Sequence, residues 1–181
     1  MKIAPVFERS FAKVYGKPCW GVKQGHGSFL TLEFGKPHLE IHEPIVARDG
    51  ASKKVRGNLT RCEVYIHGDW HLWIYCCAWE VLLNDKQVAH NESSDSRIAR
   101  AANFLNGQKL VRFSMAPRGT HCCFEFDLCG VLKTRPYSRT DEQWLFYEPT
   151  GKVLTLRADR RYSYQVSSRS EVKTGWKPVQ R

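Results

Sequence analysis

Three residues have both the types and the spacing that chemistry asks for. His38, Glu40 and His42 stand at i, i+2 and i+4 in a strictly alternating segment, His-Leu-Glu-Ile-His. A strand sends such residues to one face about 7 Å apart. Two imidazoles and a carboxylate so placed can contribute to a metal site or an acid/base pair. The solvent face of an edge strand has the same pattern. A second set of ligand types is His67, His71 and His121 with Cys76 and Cys122. No Cys-x-x-Cys spacing organises it. His67 and His71 flank a predicted turn at Gly68-Asp69 and can meet across a hairpin; cross-strand packing and buried thiols account for the same residues. Nucleophilic catalysis finds little support. No Gly-x-Ser-x-Gly elbow is present, and adjacent His121 and Cys122 point to opposite faces of a strand. Gly25-His26-Gly27 lacks the Lys-Ser/Thr ending of a phosphate loop. No catalytic residue and no cofactor is assigned on these grounds.

Two other groups of residues suit binding. Trp70, Trp73 and Trp79 fall in one apolar segment, with Trp73 and Trp79 on one face and Trp70 on the other. Tryptophan suits interface hot spots, so these three are the candidate surface for a protein partner; core packing explains them equally. Near the C-terminus, Arg157, Arg160, Arg161, Arg169 and Lys173 alternate with Tyr162 and Tyr164. Cations for phosphates and rings for base stacking are what single-stranded nucleic acid requires, and a solvated terminus shares that composition.

Strands must position these groups. A hairpin is predicted across residues 19–32 around the glycine-rich turn at 24–27. Residues 38–42 form another strand, and residues 48–58 an exposed loop. Residues 62–90 read as a three-stranded meander with turns at Gly68-Asp69 and Asn84-Asp85. Its central member, 70–83, is apolar on both faces along 72–79, which requires cover on both sides. One amphipathic helix follows, with Ile98, Ala101, Ala102 and Leu105 at i, i+3, i+4 and i+7 and Gly107 at the stop; its stripe should pack on the sheet. Strands are predicted at 110–115 and 122–132, the latter with a bulge at Gly130, and a second meander at 143–166. A weakly periodic segment, 8–14, allows a short helix. The expected fold is α+β: about nine or ten mostly antiparallel strands in meanders, with one helix packed on the sheet. Residues 1–166 form a single domain and 167–181 a polar, basic tail.

Composition bounds the rest. The chain has 181 residues, 42% hydrophobic and 25% charged, which is ordinary for a folded domain. An apolar run of eight residues, 72–79, is far shorter than the roughly 20 a membrane helix needs. Glu8 and Arg9 interrupt the first apolar residues, so no secretory leader is expected. The formal charge is +10, yet residues 151–181 hold eight basic and two acidic side chains, +6 of that total. Electrostatic attraction of a polyanion therefore concerns the C-terminal segment. The seven cysteines, odd in number and partly adjacent, read as reduced and mostly buried thiols in a cytoplasmic protein.

Two stretches carry a resemblance. One runs Pro18-Cys19-Trp20-Gly21-Val22, Gly25-His26-Gly27-Ser28-Phe29-Leu30 and Glu33-Phe34-Gly35. The other runs Phe126-Asp127-Leu128-Cys129-Gly130-Val131-Leu132, Gln143-Trp144-Leu145 and Pro149-Thr150-Gly151-Lys152. Together they resemble small uncharacterised bacterial proteins, some similar to immunity proteins of toxin–immunity systems. That family often has a second glycine after Asp-Leu, where this chain has Cys129. The likeness rests on turn glycines and strand aromatics and transfers no active site. It implies a non-enzymatic cytoplasmic protein-binding module of immunity or accessory type. A nucleic-acid-binding module and a metal-dependent hydrolase using His38, Glu40 and His42 are the alternatives.

Overall fold

Alternating apolar residues pair into two antiparallel sheets. The computed structural model describes residues 3–116, 120–166 and 175–180. One sheet has seven strands, in the order β1 (Cys19–Gln24), β2 (Leu30–His42), β3 (Glu63–Ile74), β9 (Glu142–Tyr147), β10 (Lys152–Arg157), β11 (Arg161–Val166) and β12 (Lys177–Pro178). The other has five, in the order β5 (Lys86–His90), β4 (Cys77–Leu83), β8 (Gly130–Pro136), β7 (Cys122–Phe126) and β6 (Leu110–Met115). Three helices complete the described residues: α1 (Pro5–Phe11), α2 (Lys53–Leu59) and α3 (Asp95–Leu105). The architecture is mostly antiparallel β and broadly α+β, with twelve strands and three helices among the described residues, where about nine or ten strands, one packed helix and a possible short one at 8–14 were expected.

Each difference has a physical reason. The segment expected as one strand, 70–83, breaks at Tyr75-Cys76. There the backbone N–H groups of Tyr75 and Cys76 donate to the carbonyls of Gln143 and Glu142 at 2.8 and 3.1 Å, and the chain leaves β3 for β4 in the other sheet. Residues 72–79 are apolar on both faces because they cross from sheet to sheet, with Leu72, Ile74, Cys77, Ala78 and Trp79 all buried. Residues 122–132 are two strands joined by a turn, with Cys129 at φ 63°. Most of α2 falls in the predicted 48–58 loop; Ser52 caps it, its Oγ accepting from Val55 N at 3.3 Å, and none of its residues is buried. Residues 175–180, placed in a tail by the sequence, join the first sheet. β12 pairs with β11, Ala4 N donates to Val179 O at 2.8 Å, and Val179 is buried.

Aromatic side chains of α1 join the two sheets. Phe11 stacks on Phe113 of β6 at 4.2 Å and on Phe146 of β9 at 4.7 Å, and meets Trp144 edge-on at 5.6 Å. Such pairs contribute about 0.5–1.5 kcal/mol each beyond area burial. Ile98, Ala101, Ala102 and Leu105 of α3 are buried, as their spacing predicts. The helix bridges β1 and β5, one edge strand of each sheet. Its C-terminal end covers the β1 edge: Gly107 N donates to Cys19 O at 2.8 Å, and Val22 N to Asn106 Oδ1 at 2.9 Å. Covered edges do not recruit further strands.

All seven cysteines are free; Cys19, Cys77 and Cys122 are buried, Cys76 and Cys123 partly so, and Cys62 and Cys129 are exposed. Burial pushes the Cys19 and Cys122 thiols up to about 12. Among the described residues no helix is long and apolar enough to cross a membrane.

The left-handed backbone at exposed Cys129 costs a side chain roughly 1–2 kcal/mol, offset in part by the greater chain entropy of glycine. Cys129→Gly should therefore raise unfolding stability by about 0.5–1 kcal/mol. A higher urea midpoint at unchanged slope is the expected reading; an equal or lower midpoint contradicts it.

Candidate metal centre

The β2–β3 pair is longer than its neighbours. β1 pairs with β2 only as far as Phe34, and β9 meets β3 only over His71–Ile74. Beyond them, residues 37–42 pair with 63–68 as a two-stranded ribbon. Leu39 lies opposite Ile66 and Ile41 opposite Val64 on one face; His38 lies opposite His67, Glu40 opposite Tyr65, and His42 opposite Glu63 on the other.

A bulge brings the sheet and the ribbon into one constellation. Between the pairs Phe34–Trp70 and Pro37–Gly68, β2 advances three residues while β3 advances two. The extra residue switches the face taken by alternate positions of β2. Glu33 therefore shares a face with His38, Glu40 and His42, although its parity in the sequence is opposite. β3 keeps its parity, so His67 and His71 both stay on that face. Two glycines permit the bulge. Gly35 has φ +82°, and a Cβ on Gly68 would collide with the Phe34 carbonyl oxygen. Asp69 Oδ2 accepts the Lys36 N–H at 2.8 Å and pins the extra residue.

Glu33 is the centre of the cluster and is buried. Its Oε1 lies 2.7 Å from His71 Nδ1 and 3.1 Å from His67 Nδ1, and its Oε2 accepts from Gly68 N at 2.9 Å. Farther out, Glu40 Oε2 is 3.6 Å from His67 Nε2, and Glu40 Oε1 is 2.8 Å from His42 Nε2. Burial pushes the Glu33 carboxyl up. The hydrogen bond and charge of His71, the Gly68 N–H and the His67 hydrogen bond outweigh it and hold the group below the usual carboxylate range. The cluster opens into a cleft of about 660 Å³ lined by His38, His42, Trp73 and Tyr147 among others. One donor atom each from Glu33, His67 and His71 fall within 4.8 Å of one another. That set of two imidazoles and one carboxylate, open on one side, can hold a divalent transition-metal ion and leave a position for water or substrate.

The candidates of the sequence are thus redistributed. His38, Glu40 and His42 share a face as expected, and His67 and His71 join them along one strand, since Gly68-Asp69 lies within β3 rather than in a hairpin turn. His121 and Cys122 lie elsewhere, on a hollow of about 650 Å³ in the five-stranded sheet. Glu33 was missed. Its only signal was Gly35 two residues later, a glycine inside a strand pattern.

The candidate binding residues that are described have the following surroundings. Trp79 is buried in β4, with Nε1 donating to Ser28 O at 2.6 Å. Trp70 is partly buried under Lys17, whose Nζ is 5.3 Å from the ring centre, and Trp73 packs with Phe29 and Tyr75 at 6.0 and 4.7 Å. Among the basic residues, Arg157 pairs with Asp159 at 2.9 Å and covers the Trp176 ring at 4.6 Å. Arg160 donates to Gln180 Oε1 at 2.9 Å, and Arg161 is 3.9 Å from Asp159. Tyr162 sits against Phe7 at 5.2 Å, and Tyr164 donates to Glu148 Oε2 at 2.9 Å. These rings are engaged within the fold. Arg169 and Lys173 lie outside the described residues.

Because the folded protein depresses the Glu33 pKa, its contribution to stability is complete above the unfolded value near 4.5 and is lost as pH falls through the lower folded value. Glu33→Gln should cost about 1–3 kcal/mol at neutral pH. In thermal melts from pH 7 to 3, the gap between wild type and variant should narrow below about pH 4.5; a gap independent of pH contradicts this assignment. Comparison with known proteins finds no match to this chain among protein-family models, curated proteins or solved structures.

Proposed function

We propose that the protein binds a divalent transition-metal ion on Glu33, His67 and His71 and uses it for metal-assisted hydrolysis. The observation that carries this reading is the convergence of three donor atoms within 4.8 Å beside an open cleft. Three protein ligands leave a tetrahedral ion one position for water. A bound ion lowers the pKa of that water from 15.7 toward about 7, which supplies hydroxide at neutral pH. Glu40 and His42, 2.8 Å apart, line the same cleft as His67 and His71. Relative to the expectation from sequence, the centre moves from His38, Glu40 and His42 to a more buried set, with the original residues at its rim.

Calorimetric titration with Zn²⁺ tests the reading. Wild type should bind, and at a hundredfold excess over Kd its unfolding free energy should rise by about 2.7 kcal/mol. Glu33→Gln and His71→Ala should weaken binding by at least about tenfold. A wild type that binds no more tightly than Glu33→Gln overturns the reading.

The ribbon's other face favours a second reading, a protein-binding module of immunity or accessory type. Leu39, Ile41, Val64 and Ile66 form a contiguous aliphatic face, each more than half exposed. Exposed contiguous apolar faces mark interaction sites. Cross-linking in the host should capture a stoichiometric protein partner with wild type and with Glu33→Gln, and lose it with Leu39→Asp. Equal capture by Leu39→Asp excludes this face as the contact.

A further inference from the structure

The five-stranded sheet has a polar row on its outer face. His90, Glu80, Lys133, Cys123 and Ser114 stand opposite one another in register across β5, β4, β8, β7 and β6. Their neighbours along the strands, Val81, Leu132 and Phe124, belong to the core, so the row faces away from it. Two positions along β8, Arg135 shares that face, opposite Ala78. Small side chains at Ala78, Ser114 and Cys123 leave the hollow of about 650 Å³, and Tyr137 forms one wall of it. That wall is held in place. Asn91 Nδ2 donates to the Tyr137 hydroxyl, and Asn91 Oδ1 accepts from Trp79 N at 3.1 Å. Tyr137 nevertheless stays 57% exposed.

The hollow carries charges of both signs. Glu80 and Glu92 line it from β4 and from the turn after β5, and Lys133 and Arg135 from β8. Glu80 Oε2 accepts from Gln87 Nε2 at 2.6 Å, and neither Lys133 nor Arg135 forms an ion pair with a described residue. Burial and the charge of Glu92 push the Tyr137 hydroxyl up, and the charge of Arg135 pulls it down, so opposite charges flank the ring. Glu80 and Arg135 are diagonal neighbours, about 7–8 Å apart at the backbone. A ligand that fits between them has an ammonium and a carboxylate close together. We propose that this hollow binds a free aromatic amino acid, with Arg135 and Lys133 on its carboxylate, Glu80 on its ammonium and the Tyr137 ring against its side chain. The guanidinium fork matches a carboxylate with two parallel hydrogen bonds, and a fixed, exposed ring offers a face for stacking. The site lies in the other sheet from Glu33 and does not rest on the metal reading.

Calorimetric titration of the full chain tests this, with L-phenylalanine as the probe. N-acetyl-L-phenylalanine lacks the ammonium, and L-phenylalaninamide lacks the carboxylate. Wild type should bind phenylalanine at least about tenfold more tightly than either derivative. Arg135→Gln, a change at an exposed side chain, should weaken phenylalanine by about tenfold or more and leave phenylalaninamide unchanged. Glu80→Gln should weaken phenylalanine in the same way and leave N-acetyl-L-phenylalanine unchanged. No binding of phenylalanine, equal affinity for phenylalanine and its two derivatives, or variants that weaken all three ligands alike overturns the proposal. Glycine has both charges and no ring. It should bind more weakly than phenylalanine, and Tyr137→Ala should narrow that difference. Equal affinities for glycine and phenylalanine in wild type overturn the assignment of an aromatic ligand.

Discussion

One extra residue in β2 governs the polar face of this protein. A regular ladder reverses the face at every residue, so Glu33 and His38, five positions apart, would point to opposite sides. The bulge between Phe34 and Pro37 removes that opposition. It also places Gly68 N at the buried Glu33 carboxylate, 2.9 Å from Oε2. The bulge in turn needs Gly35 in the left-handed region and bare backbone at Gly68, with Asp69 holding Lys36. What depends on these three positions is that His38, Glu40 and His42 join the face that Glu33, His67 and His71 already share.

The rest of the fold keeps the bulge in place. Trp20 Nε1 donates to Gly35 O at 3.0 Å, which ties β1 to the kink. β1 is itself fixed by the end of α3, through Asn106 and Gly107. On the other side, β9 pairs with β3 at His71, and its Trp144 and Phe146 reach α1 and the second sheet. The inner half of the cluster is thus anchored to the aromatic core. The outer half, with Glu40 and His42, rides on a ribbon that no other strand of the described residues flanks, and burial falls along the cluster in that direction.

The helix at 95–105 was legible because its apolar residues keep one period over three turns, and the Asn84-Asp85 turn because both residues tolerate positive φ. Alternation at 38–42 and at 124–126 marked strands and their faces, whereas Leu128, next in the pattern, falls in the turn after β7 and is exposed. Long-range topology was not legible. An apolar run such as 72–79 satisfies a central strand and a crossing between sheets equally, since both bury both faces. Gly68-Asp69 looks like a turn because bulges and turns use the same residues. Glu33 stayed hidden for the same reason: period-two reasoning holds only up to a bulge. The tyrosines at 162 and 164 illustrate a different limit. Their alternation with arginines describes a strand, and what covers each ring is set by α1, Glu148 and Lys152, all remote in sequence.

Energetics bears on why such a cluster exists. Removing a carboxylate from water costs several kcal/mol even after relaxation. Hydrogen bonds to a charged group return about 1.5–3 kcal/mol each, and Glu33 has three, from His71, His67 and Gly68. The hydrogen bonds outweigh the desolvation of the carboxylate, so the fold keeps Glu33 ionised. Aliphatic residues of similar volume would serve stability as well or better. The bulge that aligns the cluster also requires two glycines, which cost chain entropy. Stability alone therefore does not require two histidines that line an open cleft to converge on a buried glutamate. On the proposed metal reading, a cation would gain from having the ligands already desolvated and aligned.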